Sequence, residues 1–329
     1  MFTLYENLYR ILFNITKRGC IMDLKQLEYV LAIEEYGNIS KAANALFISQ
    51  SALNQQLIRL EKELGMKLFY RDKRCLRPTQ AGRIYLDNAK KILTIKKNTY
   101  SQLHDLEDSV TGELRLGLTW EHGVDMFTEI LPMFLKKHPN FSIKMFERSV
   151  AQQHQMILSD HLDLGCVMIQ ESDRIDANYI PIFREEILLA VPRSHPLAKF
   201  ASPVGKPLTY ISLSLFKEDL FSLIYQGSTM RTIVDQLFRN AGYQPKILFE
   251  TSMNSILCKM VSQELCCAVF PQSYAHPTDR VACFRLEGVS YWDVCLIYPK
   301  GICPGNACKD LIQLARQYGY EKEQKFKNM

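Results

Sequence analysis

Within one span of six residues stand Gln50, Ser51, Asn54 and Gln55, four side chains that each carry a hydrogen-bond donor and an acceptor. A carboxamide holds both in one plane, so Asn and Gln can bond bidentately to a flat purine edge such as adenine's. Arg59, Arg71, Arg74, Arg77 and Thr79 follow, and Ser40 and Ser49 precede. Guanidinium forks and hydroxyls suit phosphate oxygens, which they grip without reading sequence. From Ile39 to Lys97 there are 13 basic residues against 4 acidic ones, while the whole chain carries a formal charge of only +5. Such concentration beside a nearly balanced remainder is the electrostatic footprint of a module that binds duplex nucleic acid. A solvated polar face, or helix capping by Ser40 and Ser49, would use the same residue types without that excess of charge.

A second group suits a small anion. Thr119-Trp120 and Gly227-Ser228-Thr229 each follow a strand-like run, and the latter opens a helical pattern. Hydroxyls and free backbone N–H groups at a helix start favour negative charge, so a carboxylate-bearing effector is expected there, with Arg231 adding positive charge. Capping by Ser228 and Thr229 is the competing reading. Glu121 and His122, beside Trp120, fit recognition of an amine or polar ring, or are exposed loop residues.

The elements that must position these residues are legible from periodicity. Leu24, Leu27, Val30, Leu31 and Ile33 recur at helical spacing and stop at Gly37-Asn38. A short helix from Ser40, its expected cap, to Leu46 carries small alanines; a longer one, capped by Ser49, buries Leu53, Leu57, Leu60 and Leu64 and ends at Gly65. Two helices, a tight turn and a polar face on the second make a helix-turn-helix, and residues 71–79 read as a basic wing. A long helix from Gln80 carries Tyr85, Ala89, Ile92, Lys96, Thr99, Leu103, Leu106 and Val110 at heptad-like steps, a seam expected to pair two copies, with packing on its own domain as the competing reading. Beyond Gly112, strand and helix alternate twice over, as Glu113–Leu118, Val124–Lys137, Phe141–Glu147, Val150–Leu162, Asp163–Ile169, and again from Leu220 to Phe270. That rhythm predicts two α/β halves with parallel strands. Residues 183–191 and 281–298 serve as crossings.

The length of 329 residues exceeds one hydrophobic core, and 47% apolar with 23% charged residues excludes a disordered or fibrous chain. Ten cysteines are scattered from Cys20 to Cys308, mostly inside apolar runs and without metal-ligand spacing, which predicts buried thiols in a reduced, cytoplasmic setting. No run reaches the length of a membrane span, and residues 1–21 make a poor signal peptide. They read as an extension ahead of Met22. The absence of GxSxG, HExxH and Gly-rich phosphate loops argues against an enzyme, and no cofactor or metal is expected.

From Met22 to Leu93 the chain closely resembles the LysR-type transcriptional regulator family. The matching runs are Asp23-Leu-Lys-Gln-Leu-Glu-Tyr-Val, Gly37-Asn-Ile-Ser-Lys-Ala-Ala, Ser49-Gln-Ser-Ala-Leu-Asn-Gln-Gln-Leu-Ile-Arg-Leu-Glu-Lys-Glu-Leu-Gly, Lys67-Leu-Phe-Tyr-Arg and Pro78-Thr-Gln-Ala-Gly. A weaker likeness continues through Leu131-Pro, Ser194-His-Pro-Leu and Val269-Phe-Pro. The resemblance implies an α/β protein with an N-terminal all-α winged helix-turn-helix over residues 22–79 and a linker or dimerisation helix over 80–110. Behind these it implies a two-lobed α/β periplasmic-binding-protein-like (type 2) effector domain over 111–329. Lobe one would take 111–185 and 286–329, and lobe two 186–285. Implied partners are double-stranded DNA, a small-molecule effector, further copies in a homodimer or homotetramer, and RNA polymerase. By the same analogy Val167, Met168, Thr251 and Ser252 form further cleft walls. This chain departs from the family at Ser51, Asn54 and Gln55, where Pro, Ser and Arg are frequent, and at Glu264 and Cys266, where glycines are common. The latter departures also fit a regulator whose cleft has decayed; a solute-binding protein or enzyme on the same lobes would leave the helix-turn-helix unexplained.

Overall fold

The computed structural model describes residues 23–71, 75–104, 112–275, 277–288 and 290–327. The extension 1–21, Arg74, and the end of the predicted seam at Leu106 and Val110 lie outside them. Two compact units divide the described chain, the first comprising the residues up to His104 together with Gly301–Cys303.

The first unit holds helices α1 (Leu24–Tyr36), α2 (Ile39–Ala45) and α3 (Gln50–Leu64), strands β1 (Phe69–Arg71) and β2 (Leu76–Pro78), and helix α4 (Gln80–His104). Val30 and Ile33 of α1, Ala42 and Ala43 of α2, and Leu53, Leu57 and Leu60 of α3 close one core with Leu68, Phe69 and Leu86. Alanines let α2 approach closely, and Gly37 and Gly65 end α1 and α3 in left-handed conformation. Strands β1 and β2 pair antiparallel as the predicted wing.

Helix α4 divides the expected seam in two. Tyr85 packs on the three-helix core, Ala89 is buried, and Lys96 and Lys90 form ion pairs with Glu28 and Glu34 of α1. Helix α1 lies against this face, so the first part of the heptad-like run, Tyr85 to Lys96, serves its own domain. Further along, the seam residues Thr99 and Leu103 are exposed, and on another face Ile84 and Ile95 are exposed as well.

In the second unit strands β3 (Gly112–Leu118), β4 (Phe141–Glu147) and β5 (Leu164–Ile169) run parallel, alternating with helices α5 (His122–Lys137) and α6 (Val150–Leu158). Strand β6 (Ala177–Pro192) crosses out, a short β7 (Tyr210–Ile211) follows, and the rhythm restarts. Strands β8 (Leu220–Ile224), β9 (Lys246–Thr251) and β10 (Cys267–Pro271) are again parallel, with helices α7 (Thr229–Asn240) and α8 (Asn254–Ser262) between them. Strands β11 (Val281–Leu286) and β12 (Tyr291–Pro299) run back antiparallel to β6, and helix α9 (Asn306–Lys327) ends the described chain.

Strand β6 belongs to both half-sheets. Ala177–Glu186 pairs with β12, whereas Ile187–Pro192 pairs with β10 and β11. The expected parallel sheet is thus two parallel triplets joined by antiparallel crossings. Both triplets turn their carboxyl ends to helix starts, the position where open α/β sheets bind ligands.

Candidate functional site

Helix α3 divides its residues by depth. Leu53, Leu57 and Leu60 are buried, while Gln50, Ser51, Gln55 and Arg59 are exposed and Asn54 is half-buried. The Ser49 hydroxyl accepts from the Ala52 N–H at 3.2 Å, leaving other N–H groups of the first turn facing outward. Ser40 is exposed but does not cap α2. Asn38 does, accepting from the Ser40 and Lys41 N–H groups at 2.8 and 3.1 Å. Asn is as good a cap as Ser, and the expected stop signal at Gly37-Asn38 doubles as the next start.

Arg77 is exposed on β2 opposite Tyr70. Arg59 pairs with Glu63 at 2.9 Å across an exposed helix turn, a contact that phosphate oxygens would readily replace. The side chain of Arg71 lies outside the described residues, as Arg74 does. Thr79 does not fit its expected role. It is buried, donates its one hydroxyl proton to the Lys67 carbonyl at 2.7 Å, and accepts from the Gly82 N–H at 2.9 Å at the start of α4. A hydroxyl so engaged has no proton left for a phosphate.

Sequence reasoning missed Glu61. Its buried carboxylate accepts from the Leu68 and Phe69 N–H groups at 2.8 and 3.3 Å and from Lys67 Nζ at 2.9 Å, fastening α3 to the wing. Its place among the charged residues of an amphipathic helix gave no sign of burial.

In the second unit, Thr119 follows β3 and its hydroxyl points at Met168 Sδ, 3.1 Å away. Val167, next along β5, projects the other way into a separate cluster with Ile157 and Cys295, because neighbouring strand residues face opposite sides. Only Met168 shares the Thr119 side. Gly227 turns with a φ of 84°, and the Ser228 hydroxyl caps α7 through the Arg231 N–H at 3.0 Å, with Thr229 as the first helical residue. Thr251 is buried opposite Ile224 and accepts from the Met253 N–H, while Ser252 is exposed. Arg231 carries no free charge: it is buried and bonds Asp235 Oδ1, Glu250 Oε1 and the Ile224 carbonyl.

Trp120, Glu121 and His122 depart furthest from expectation. Trp120 is half exposed, but α5 begins at His122, two residues earlier than predicted, and buries that imidazole. His122 Nε2 lies 2.9 Å from Glu185 Oε2, which also accepts from Trp292 Nε1 at 2.9 Å, while the other oxygen accepts from the Ser273 N–H. Glu185 is fully buried where β6 passes between the half-sheets. Burial pushes its carboxyl up, but attraction to His122 and the three donors outweigh that and hold it below its ordinary value. Tyr274 donates to Asp125 of α5 at 3.1 Å.

Glu121 reaches the second half-sheet. Its Oε2 accepts from the Asn254 N–H at 2.5 Å and from Asn254 Nδ2 at 3.1 Å, and its Oε1 accepts from the Ser255 N–H at 3.1 Å. These are the first residues of α8, whose own N-cap, Met253, has no group to offer. Glu121 does this from a backbone of φ 65° and ψ −84°, a tight γ-turn closed by His122 N–H to the Trp120 carbonyl at 3.0 Å.

Among the described residues, His195, Asp219 and Cys267 bring three ligand-type atoms within 4.8 Å of one another. His195 Nδ1 accepts from the Leu197 N–H at 3.2 Å, which leaves Nε2 protonated to donate to Asp219 at 3.1 Å. Burial pushes the Cys267 thiol up. A protonated nitrogen and a protonated thiol make a structural pair rather than a ready metal site.

The described geometry matches known proteins in both units. Residues 24–83 match the bacterial regulatory helix-turn-helix protein model of the lysR family, and residues 107–319 match the LysR substrate binding domain. The chain belongs to the LysR family of transcriptional regulators. It is therefore a regulator and not an enzyme. The HTH-type transcriptional regulator YybE of Bacillus subtilis is 26% identical over 83% of this chain and 89% of its own. A full-length OxyR of Pseudomonas aeruginosa has the same fold, with a TM-score of 0.62 at 20% identity over 91% of this regulator and 95% of its own chain. The effector binding domain of QuiR, solved in complex with shikimate, superposes with a TM-score of 0.52 at 21% identity over 64% of this chain and 98% of its own. No described helix is long and apolar enough to cross a membrane.

Proposed function

We propose that this LysR-family regulator reads duplex DNA through the start of α3, with Gln50, Ser51, Asn54 and Gln55 at base edges. Ser40, Ser49, Arg59, Arg71, Arg74 and Arg77 hold phosphates on either side. The observation that carries this reading is the exposed amide face of α3 standing on a leucine spine, with its N-terminal N–H groups outward. The exposed apolar residues of α4, Leu103 of the seam with Ile84 and Ile95 beside it, support assembly of a homodimer or homotetramer, and RNA polymerase is the proposed downstream partner of such a complex.

In the second unit the proposed ligand is a small carboxylate seated at the carboxyl ends of the two strand triplets. Support comes from α8, whose first N–H groups already hold a carboxylate, and from the shikimate complex of QuiR, shikimate being a carboxylate. That the carboxylate at α8 belongs to the protein itself favours a second reading, a regulator that needs no effector. A gel shift with the region upstream of its own gene tests the DNA reading: retarded duplex at low salt is expected, and none in any oligomeric form would end it. Thermal shift with a panel of carboxylates separates the two effector readings.

A further inference from the structure

Three donors converge on Glu121, and none of them comes from its own half of the domain. The Asn254 and Ser255 N–H groups and the Asn254 carboxamide form a seat at the start of α8, and the α5 side supplies the anion. Helix α8 has no internal cap, since Met253 precedes it. Uncapped, those N–H groups would be orphaned in a region where Asn254 is buried. The second arm of the same carboxamide, Asn254 Oδ1, is buried with no hydrogen-bond partner. Glu121 can only accept, so it satisfies the donors of the seat and leaves this acceptor unserved.

We propose that Glu121 is a tethered occupant of a carboxylate site at the start of α8, and that the exogenous ligand of this site is a carboxylate bearing a hydroxyl beside it. The inference deepens the carboxylate reading given above. The ligand's carboxylate replaces that of Glu121 on the three donors, and its hydroxyl donates to Asn254 Oδ1. Glu121 then swings out of the γ-turn that its reach requires. A tethered competitor acts at a high effective concentration, so simple anions do not displace it. A ligand wins by the extra bond to Oδ1 and by releasing a backbone held in a sparsely populated conformation. Because Glu121 joins the two halves, its displacement releases a bond that ties the start of α5 to the start of α8.

The test uses the full chain and its Glu121→Gly variant, which removes the carboxylate and suits the turn. Lactate is the probe, with lactamide and chloride as controls. Lactate is expected to raise the Tm of Glu121→Gly by about 2 °C or more at concentrations where the parent protein moves by less than half as much. Lactamide, which keeps the hydroxyl but not the carboxylate, is expected to leave both unchanged. Glu121→Ala, whose side chain is too short to reach the seat, should behave as Glu121→Gly does and serves if the glycine variant does not fold. Equal responses of parent and variants, or of lactate and lactamide, overturn the proposal. A gel shift on the same samples keeps this result separate from the DNA reading: loss of duplex binding in the parent protein would sink that reading while leaving the lactate comparison to stand or fall by itself.

Discussion

His122 Nε2 stands 2.9 Å from Glu185 Oε2, tying the first turn of α5 to the one strand that both half-sheets share. Glu185 has no exposed surface, so its charge depends on His122, Trp292 and the Ser273 N–H. Glu185→Gln should destabilise the protein by about 1.5–3 kcal/mol at pH 7, the worth of charge-assisted bonds lost in a buried site. Urea unfolding measures it. Because the folded carboxyl titrates below its ordinary value of 4.5, its contribution is present above that pH and fades as pH falls through the lower folded value. The gap between the two proteins should therefore narrow as pH falls below 4.5.

Arg77→Ala should weaken binding on every duplex and reduce the salt slope by about one, since it would remove one phosphate contact. Gln50→Ala should instead alter preference at one base pair by about 1–3 kcal/mol while leaving the slope intact. Fluorescence anisotropy across salt concentrations and operator variants distinguishes them. Identical behaviour would mean the two roles are wrongly divided.

Thr79→Ala should lower stability by about 1–2 kcal/mol through loss of the α4 cap and of the bond to the Lys67 carbonyl. Thr79→Ser should retain most of it. Neither should change the salt slope of DNA binding measured well below the melting temperature. A phosphate role would show itself there.

Glu264 follows α8 with a φ of 62°, a left-handed backbone that side chains rarely adopt. Its only described side-chain bond is an exposed one, accepted from Ser194 Oγ at 2.9 Å. Glu264→Gly should raise stability by about 1 kcal/mol, because relief of the backbone outweighs that bond. A lower Tm would show that the carboxylate matters more than the turn.

What the sequence disclosed and what it hid divide along sequence distance. The leucine spine of α3, the alanines of α2 and the alternation of β3 are periodic within one element, so they were readable without a structure. Roles set by partners far along the chain were not. Thr79 looked like a phosphate donor beside basic residues until its contact with the Lys67 carbonyl, 12 positions back, buried it. His122 looked like a loop residue, and its partner lies 63 positions on. The heptad-like steps of α4 carry no label saying whether they face α1 or another copy. Glu264 and Cys266 stood out as departures from the family, but only the backbone angle shows why a glycine would suit the first of them.

Strand β6 has a mechanical consequence. Its 16 residues donate ladder bonds first to one half-sheet and then to the other, so neither half owns a complete set of strands. A fragment cut between Glu186 and Ile187 would leave each half with a raw edge where its innermost strand had been anchored. The two halves should accordingly melt in a single calorimetric transition, and rotation about this common strand is the movement that preserves both ladders.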